Sequence, residues 1–280
     1  MAKNVKISSA VQLEWVGLPG RAGDIAQLVL NRPEAANAFN AEMVEGILSQ
    51  IRTIMARKET CRAVVLRAQG KHFCAGADLT WMKTSAELSE AENVTEADKL
   101  TDLFRALYRM PIPTIAMVQG ACYGGGVGLV AACDWAIASP DARFCLSEVK
   151  LGVVAAVILP YLSQKIPTSA LRRLVLTASV FGPQEALGWG LVQKVAQEDP
   201  KTILRQELNA VLVGAPQAQQ VFKQLHQRLV EGDFADEKDL HSTLAQTISR
   251  MRASESGRHG MDCFFKKKQP DWVATLPEKI

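Results

Sequence analysis

The chain has 280 residues, 48% apolar and 22% charged, with a formal net charge of +3. That profile is one of a soluble globular protein large enough to bury a core without disulfides or metals. The small charge argues against nucleic acid or an anionic membrane as the partner, and no apolar run reaches membrane-spanning length.

Residues 1–20 are weakly patterned and are expected to hold an edge strand and a turn; Met1 to Lys6 carry no apolar leader core. Ile25 to Leu30 reads as a buried strand closed by Asn31-Arg32-Pro33. Asn40 is a good N-cap, and Met43, Ile47, Ile51 and Ile54 recur at helical spacing, which predicts a helix over 41–58. Ala63 to Leu66 is a short strand, followed by Gly70 to Leu79, a small-residue turn centred on Gly76-Ala77 that leads into Trp81-Met82. Residues 83–98 read as a mobile helical segment or lid, and 99–110 as a helix stopped by Pro111 and Pro113. Thr114 to Val118 is a strand, 120–126 a glycine-rich turn, and 127–132 a buried helix. Asp134 to Ser139 and Arg143 to Leu146 are short strands; an apolar stretch runs from Leu151 to Leu162.

A strand, a small-residue turn and a helix recur around 63–82 and 114–132, which suggests stacked ββα units. Beyond about 200 the strand signals stop. Residues 201–213, 216–231, 236–253 and 258–268 read as helices, so the chain divides into 1–198 and a helical region 199–280.

Both small-residue turns would leave backbone N–H groups open to a ligand, and two N–H groups aimed at one point can hold an oxygen that gains charge. The glycine turn serves equally well to pack a helix closely on a strand. It is neither a Walker loop nor a dinucleotide fingerprint. Glu148 lies between two apolar stretches; it is either a surface residue at a strand end or a partly buried acid/base. The six cysteines show no C-x-x-C pair and read as buried reduced thiols. The four histidines have no metal-ligand spacing.

Several stretches together resemble the crotonase superfamily of enoyl-CoA hydratases and isomerases. They are Leu30 to Pro33 with Asn37-Ala38, Phe73 to Leu79, Pro113 to Ala116 with Gly120, Gly124 through Asp134, Phe144 through Gly152, and the tail from Gly257 through Phe264. The resemblance implies an α/β spiral of ββα repeats with a helical C-terminal trimerisation region. It implies an oxyanion hole from the N–H groups of Ala77 and Gly125, with Glu148 as acid/base. Ala36, Ala75, Asp78 and Leu79 would line the path of the CoA moiety. Phe264 and Lys267 would cover its nucleotide or that of a neighbouring subunit. The substrate would be an acyl-CoA, with no metal and no cofactor beyond that CoA moiety, and the assembly a homotrimer or dimer of trimers in the cytoplasm.

The sequence also departs from the two-glutamate hydratases: Gly128 stands where they carry the first glutamate, Ala155-Ala156 replaces a frequent Pro-Gly, and Glu34 a frequent basic residue. The pattern around Gly125 to Leu129, Phe144 to Val149 and Asp78 to Met82 looks most like the branch that hydrates methylglutaconyl-CoA or isohexenylglutaconyl-CoA in leucine or acyclic-terpene breakdown. Two other readings stay open: an isomerase that moves a double bond with one glutamate, and a non-catalytic acyl-CoA- or RNA-binding scaffold. On the first reading Gly128 is expected to leave room for a substrate carboxylate or a β-branch.

Overall fold

A computed structural model describes residues 10–20, 23–197 and 199–277. The expectation for Met1 to Lys6, and the boundary residue Glu198, lie outside the described residues.

Strands β1 (Val11–Gly17), β2 (Asp24–Leu30), β3 (Cys61–Ala68), β4 (Thr114–Val118), β6 (Trp135–Ala138) and β8 (Lys194–Val195) form one sheet in the order β1-β2-β3-β4-β6-β8. Only the edge strand β1 is antiparallel to its neighbour; the remaining pairs are parallel. A parallel sheet is covered on both faces, so its inner strands carry apolar residues on both sides. β3 shows the division: Val64 and Leu66 point into one core, Ala63 and Val65 into the other. The first core is closed by helices α1 (Ala41–Ala56), α3 (Glu90–Tyr108) and α4 (Gly125–Ala132). The second is closed by α8 (Pro200–Val213), through Leu204, Leu208, Val211 and Leu212, and by Leu276 from the tail.

Each inner strand is followed within a few residues by a second, shorter extended segment. β4 leads to β5 (Ala121–Tyr123), and β6 leads to β7 (Arg143–Cys145). β5 and β7 pair in parallel, and Cys74, which follows β3, bridges in parallel to Cys122 of β5. The repeat seen in the sequence is therefore a spiral. Each turn contributes one strand to the large sheet and one segment to a small parallel layer.

Asn40 caps α1, its side chain accepting from Met43 N–H at 2.9 Å, as its position predicts. The segment 83–98 is ordered differently from the expectation. It holds the end of α2 (Leu79–Ala86) and the first half of α3, which begins at a Ser89/Glu92 capping box. The helix expected over 99–110 is only the buried half of α3, where Leu103, Phe104 and Leu107 face the core. β5 was hidden inside the predicted glycine turn, because three residues are too few to show an alternating pattern.

The C-terminal helices α9 (Pro216–Glu231), α10 (Glu237–Ala253) and α11 (Glu255–Phe265) follow α8. The tail beyond them returns to the core: Arg62 Nη1 donates to the Trp272 carbonyl at 2.7 Å, and Leu276 N–H donates to Asn209 Oδ1 at 3.0 Å. Among the described residues no helix is long and apolar enough to cross a membrane, and no group of three or more His, Cys, Asp or Glu could hold a metal ion. All six cysteines are free and buried; burial pushes the thiols of Cys61, Cys74 and Cys133 up to about 12.

Candidate active site

The small parallel layer brings three distant segments to one edge. Cys74 N–H donates to the Ala121 carbonyl, Tyr123 N–H to the Cys74 carbonyl, and Gly124 N–H to the Cys145 carbonyl, at 2.8–3.0 Å. Since all three segments run the same way, the residues just after them emerge together: Gly76-Ala77, Gly124-Gly125 and Glu148. A side chain on Gly124 would sit 3.2 Å from Glu148 Oε1 and 3.8 Å from the Cα of Gly76. The three stretches singled out in the sequence are thus within contact distance of one another.

The backbone there is held in unusual conformations. Gly76 has φ +98° and Gly124 has φ +50°, values that other residues rarely adopt. A fourth segment completes the frame. Phe39 N–H donates to the Gly76 carbonyl at 2.7 Å, and Asp78 N–H donates to the Phe39 carbonyl at 2.8 Å. These two bonds use the amides on either side of Ala77. Among the described residues, neither the Ala77 N–H nor the Gly125 N–H has a backbone acceptor. Gly125 is the first residue of α4, so its N–H has no partner within the helix, and the helix dipole adds positive potential there.

Glu148 opens a short 3-10 helix, Glu148–Leu151, directly after the small layer. Its Oε2 is sealed from solvent with no hydrogen-bond partner. Burial pushes the carboxyl above the ordinary carboxylate range, opposed only by a hydrogen bond to its own backbone. This is not a surface residue at a strand end. A raised carboxyl with a free oxygen, set beside two unclaimed N–H donors, can exchange a proton with a carbon next to a carbonyl held by those donors.

The residues expected along the CoA path fall into two groups. Ala36 and Ala75 are adjacent, with Ala75 N–H donating to the Ala36 carbonyl at 3.0 Å. Asp78 caps α2 through the N–H groups of Thr80 and Trp81, and Arg32 Nη2 meets its Oδ2 at 3.1 Å. The Arg32 guanidinium beside it holds the Asp78 carboxyl below the usual range. Leu79 is 76% exposed at the start of α2. Phe264 and Lys267 stand elsewhere in the chain: Phe264 is 78% exposed near the end of α11, and Lys267 follows that helix with φ +54°. α11 packs against α10, and its His259 ring meets Trp272. No hydrogen bond or ring contact joins Phe264 or Lys267 to the Ala36, Asp78 or Glu148 group among the described residues.

Two features escaped the sequence. Asn37 is fully buried in a left-handed conformation (φ +53°); its Nδ2 donates to the carbonyls of Gln69 and His72, and its Oδ1 accepts from Arg32 N–H. With Arg32 Nη1 donating to the Ala38 carbonyl at 2.8 Å, it fixes the loop that presents Phe39 to Ala77. A polar residue beside Arg-Pro was the available signal, but its three partners come from tertiary contact. The other feature is the surroundings of Gly128. A side chain there would stand 2.2 Å from Ile158 Cγ2 and 2.9 Å from Phe104 Cε1. The expected empty room at Gly128 is therefore filled by hydrocarbon. Ile158 was distant in sequence and its packing on α4 could not be anticipated.

A family model described as enoyl-CoA hydratase/isomerase matches residues 20–275. The chain is similar to the crystal structure of an enoyl-CoA hydratase from Shewanella pealeana, with a TM-score of 0.87 and 35% identity over 95% of this chain and 96% of that one. It is 30% identical over 261 residues to a short-chain-enoyl-CoA hydratase of Clostridium acetobutylicum, covering 92% of this chain and 93% of the relative. It is 29% identical over 256 residues to an enoyl-CoA isomerase/hydratase of Mycosarcoma maydis, covering 88% and 91%.

Proposed function

From the premise that the chain belongs to the enoyl-CoA hydratase/isomerase family, with its crotonase fold, we propose that it adds water across the Cα=Cβ bond of an enoyl-CoA thioester. The observation that carries this reading is the Glu148 carboxyl, raised by burial and with one oxygen free, beside the Gly124 backbone and the unclaimed N–H groups of Ala77 and Gly125. Those two N–H groups hold the thioester oxygen as an enolate forms. Water oxygen bonds to Cβ and gives a proton to Glu148. The Cα=Cβ electron pair moves toward the thioester oxygen. Glu148 then returns a proton to Cα, which yields a 3-hydroxyacyl-CoA and leaves the carboxylate as it began. CoA arrives as part of the substrate, along Ala36, Ala75, Asp78 and Leu79.

The acyl group in this proposal is a β-branched glutaconyl group, 3-methylglutaconyl or isohexenylglutaconyl, on the strength of the sequence stretches around Asp78, Gly125 and Glu148. The second reading is isomerisation, favoured by a specific observation: hydrocarbon fills the space beside Gly128, so a single carboxylate serves the site. Incubation with crotonyl-, 3-methylglutaconyl- and isohexenylglutaconyl-CoA, and with a 3-enoyl-CoA, separates the two. Hydration adds the mass of water, whereas isomerisation changes retention at constant mass. Mass gain on the glutaconyl substrates is expected; turnover of the 3-enoyl-CoA alone would replace the hydratase reading by the isomerase one.

The proposal includes a cytoplasmic trimer or dimer of trimers, with the helices beyond residue 199 as the assembly region. Phe264 and Lys267 then reach the CoA nucleotide of a neighbouring subunit. The exposed Phe222, Phe264 and Phe265 (66%, 78% and 80%) support it, because an isolated appendage would leave that apolar area in water. Sedimentation showing a stable, active monomer at micromolar concentration would contradict it.

A further inference from the structure

Helix α4 does more than present the Gly125 N–H. Gly128 N–H donates to the Gly124 carbonyl at 3.2 Å, so position 128 lies just over one turn, about 6 Å, along the helix from the glycine that Glu148 faces. An acyl chain whose thioester oxygen sits on Gly125 would need only a few carbons to reach this level. What it would meet there is fixed by three residues. Phe104 spans both levels, its Cζ 3.7 Å from a Cβ placed on Gly125 and its Cε1 2.9 Å from one placed on Gly128. Phe39 packs edge-on against Phe104 with centroids 6.3 Å apart. Ile158 presses its β-branched stem onto Gly128 so closely that even an alanine methyl would collide with it.

Ile158 owes this position to the segment that carries Glu148. Val153 N–H donates to the Glu148 carbonyl at 3.2 Å, and the chain then turns back through the short 3-10 helix Ala156–Ile158 to reach α4. One continuous segment thus supplies the carboxyl and, ten residues later, the hydrocarbon one helical turn away. Ile158 is 1% exposed and Phe104 likewise 1%, so neither group is solvated.

We propose that Ile158 is a specificity-determining residue: seated on Gly128 and flanked by Phe104, it gives the β-carbon of the acyl group a hydrocarbon wall against which an alkyl branch packs. This deepens the acyl-CoA reading given above and rests on it. A β-methyl group gains contact with this wall, while an unbranched chain gains none. A contact of one methylene in such a pocket is worth about tenfold or more in discrimination.

The test uses saturated thioesters, so that it does not depend on turnover. Dissociation constants for butyryl-CoA and for isovaleryl-CoA, which adds one methyl at the β-carbon, are measured by calorimetry for the wild type, Ile158→Val and Ile158→Ala. Melting curves report whether each variant is folded. The wild type is expected to prefer isovaleryl-CoA. Ile158→Ala should lose that preference by about tenfold, with butyryl-CoA affinity changed less than about twofold. Ile158→Val should fall between them; it removes one methyl and serves as the deciding variant should the alanine variant not fold. A folded variant with an unchanged preference would show that Ile158 is core packing and overturn the proposal. A wild type that binds neither thioester would overturn both this proposal and the acyl-CoA reading. A wild type that binds both, shows the Ile158 effect and hydrates no enoyl-CoA would overturn the hydratase reading and leave this one standing.

Discussion

Two carboxyl groups in this chain follow opposite rules. Asp134, at the entrance to β6, has its Oδ2 engaged by three donors. It accepts from Thr114 N–H at 2.7 Å, Thr114 Oγ1 at 3.0 Å and Lys223 Nζ at 2.6 Å, and Lys223 donates again to the Ile112 carbonyl at 2.8 Å. This cluster fastens α9 to the sheet. Glu148 has an oxygen with no partner at all, faces glycines held at positive φ, and stands beside two N–H groups without acceptors. A buried polar group left unpaired costs free energy, about 1–3 kcal/mol for a neutral one. The Asp134 cluster avoids that cost; the Glu148 site incurs it. The difference separates a polar group that holds the fold from one that is reserved for a ligand.

The comparison breaks most decisively at Glu148. Replacement by Gln keeps the shape and removes the titrating proton, and turnover should fall by ~10²–10⁴ with the fold intact by circular dichroism. Near-normal turnover would remove Glu148 from the mechanism. The kcat/KM profile of the wild type should also show its carboxyl limb above 4.5, the ordinary value for a glutamate, since burial raises this group.

Next in size is Gly125→Val. Its Cβ would run into Phe39, 2.9 Å from Cε2, not into the position of the thioester oxygen. Either Phe39 or the start of α4 must shift, and the N–H donor moves with it. Loss of one such donor costs roughly 2.7–4 kcal/mol, so kcat should drop by ~10²–10³. A folded variant with normal kcat would place the oxyanion site elsewhere.

Lys223→Met probes the satisfied cluster and should affect stability without touching chemistry. It strands the Ile112 carbonyl and takes one donor from Asp134, a loss of about 2 kcal/mol in urea unfolding with kcat unchanged. A fall in kcat without a fall in stability would erase the distinction between the two regions.

The smallest effect is on the stability of the Glu148→Gln variant. A folded-state value raised above 4.5 means that the stability Glu148 contributes is fully present below pH 4.5 and lost as the pH rises through the raised value. Above that raised value the wild type carries a buried charge that the variant lacks. Melting temperatures should converge below pH 4.5 and increasingly favour the variant as the pH rises through the raised value, the gain being blunted because the amide is also unpaired. A variant that loses stability relative to wild type as the pH rises from 4 would contradict the burial argument.

Much of this molecule was legible in its residues. The apolar runs at 25–30 and 114–118, the Asn40 cap, the four C-terminal helices and the two small-residue turns all announce themselves through local patterns. The sequence by itself located the longer strands and helices, though not β5 or the short helices between residues 159 and 189, because periodicity, caps and glycine preferences act over a few residues. It also marked Ala77, Gly125 and Glu148 as candidates through their place in a resemblance. Tertiary structure alone decided that these three share one edge, since a parallel layer of segments drawn from Cys74 to Cys145 sets that register. It decided that Glu148 is desolvated, which depends on neighbours distant in the chain. It likewise decided that Gly128 is a seat for Ile158 and not an empty space, because which side chain fills a gap depends on how elements pack, and close packing is a property of the assembled core.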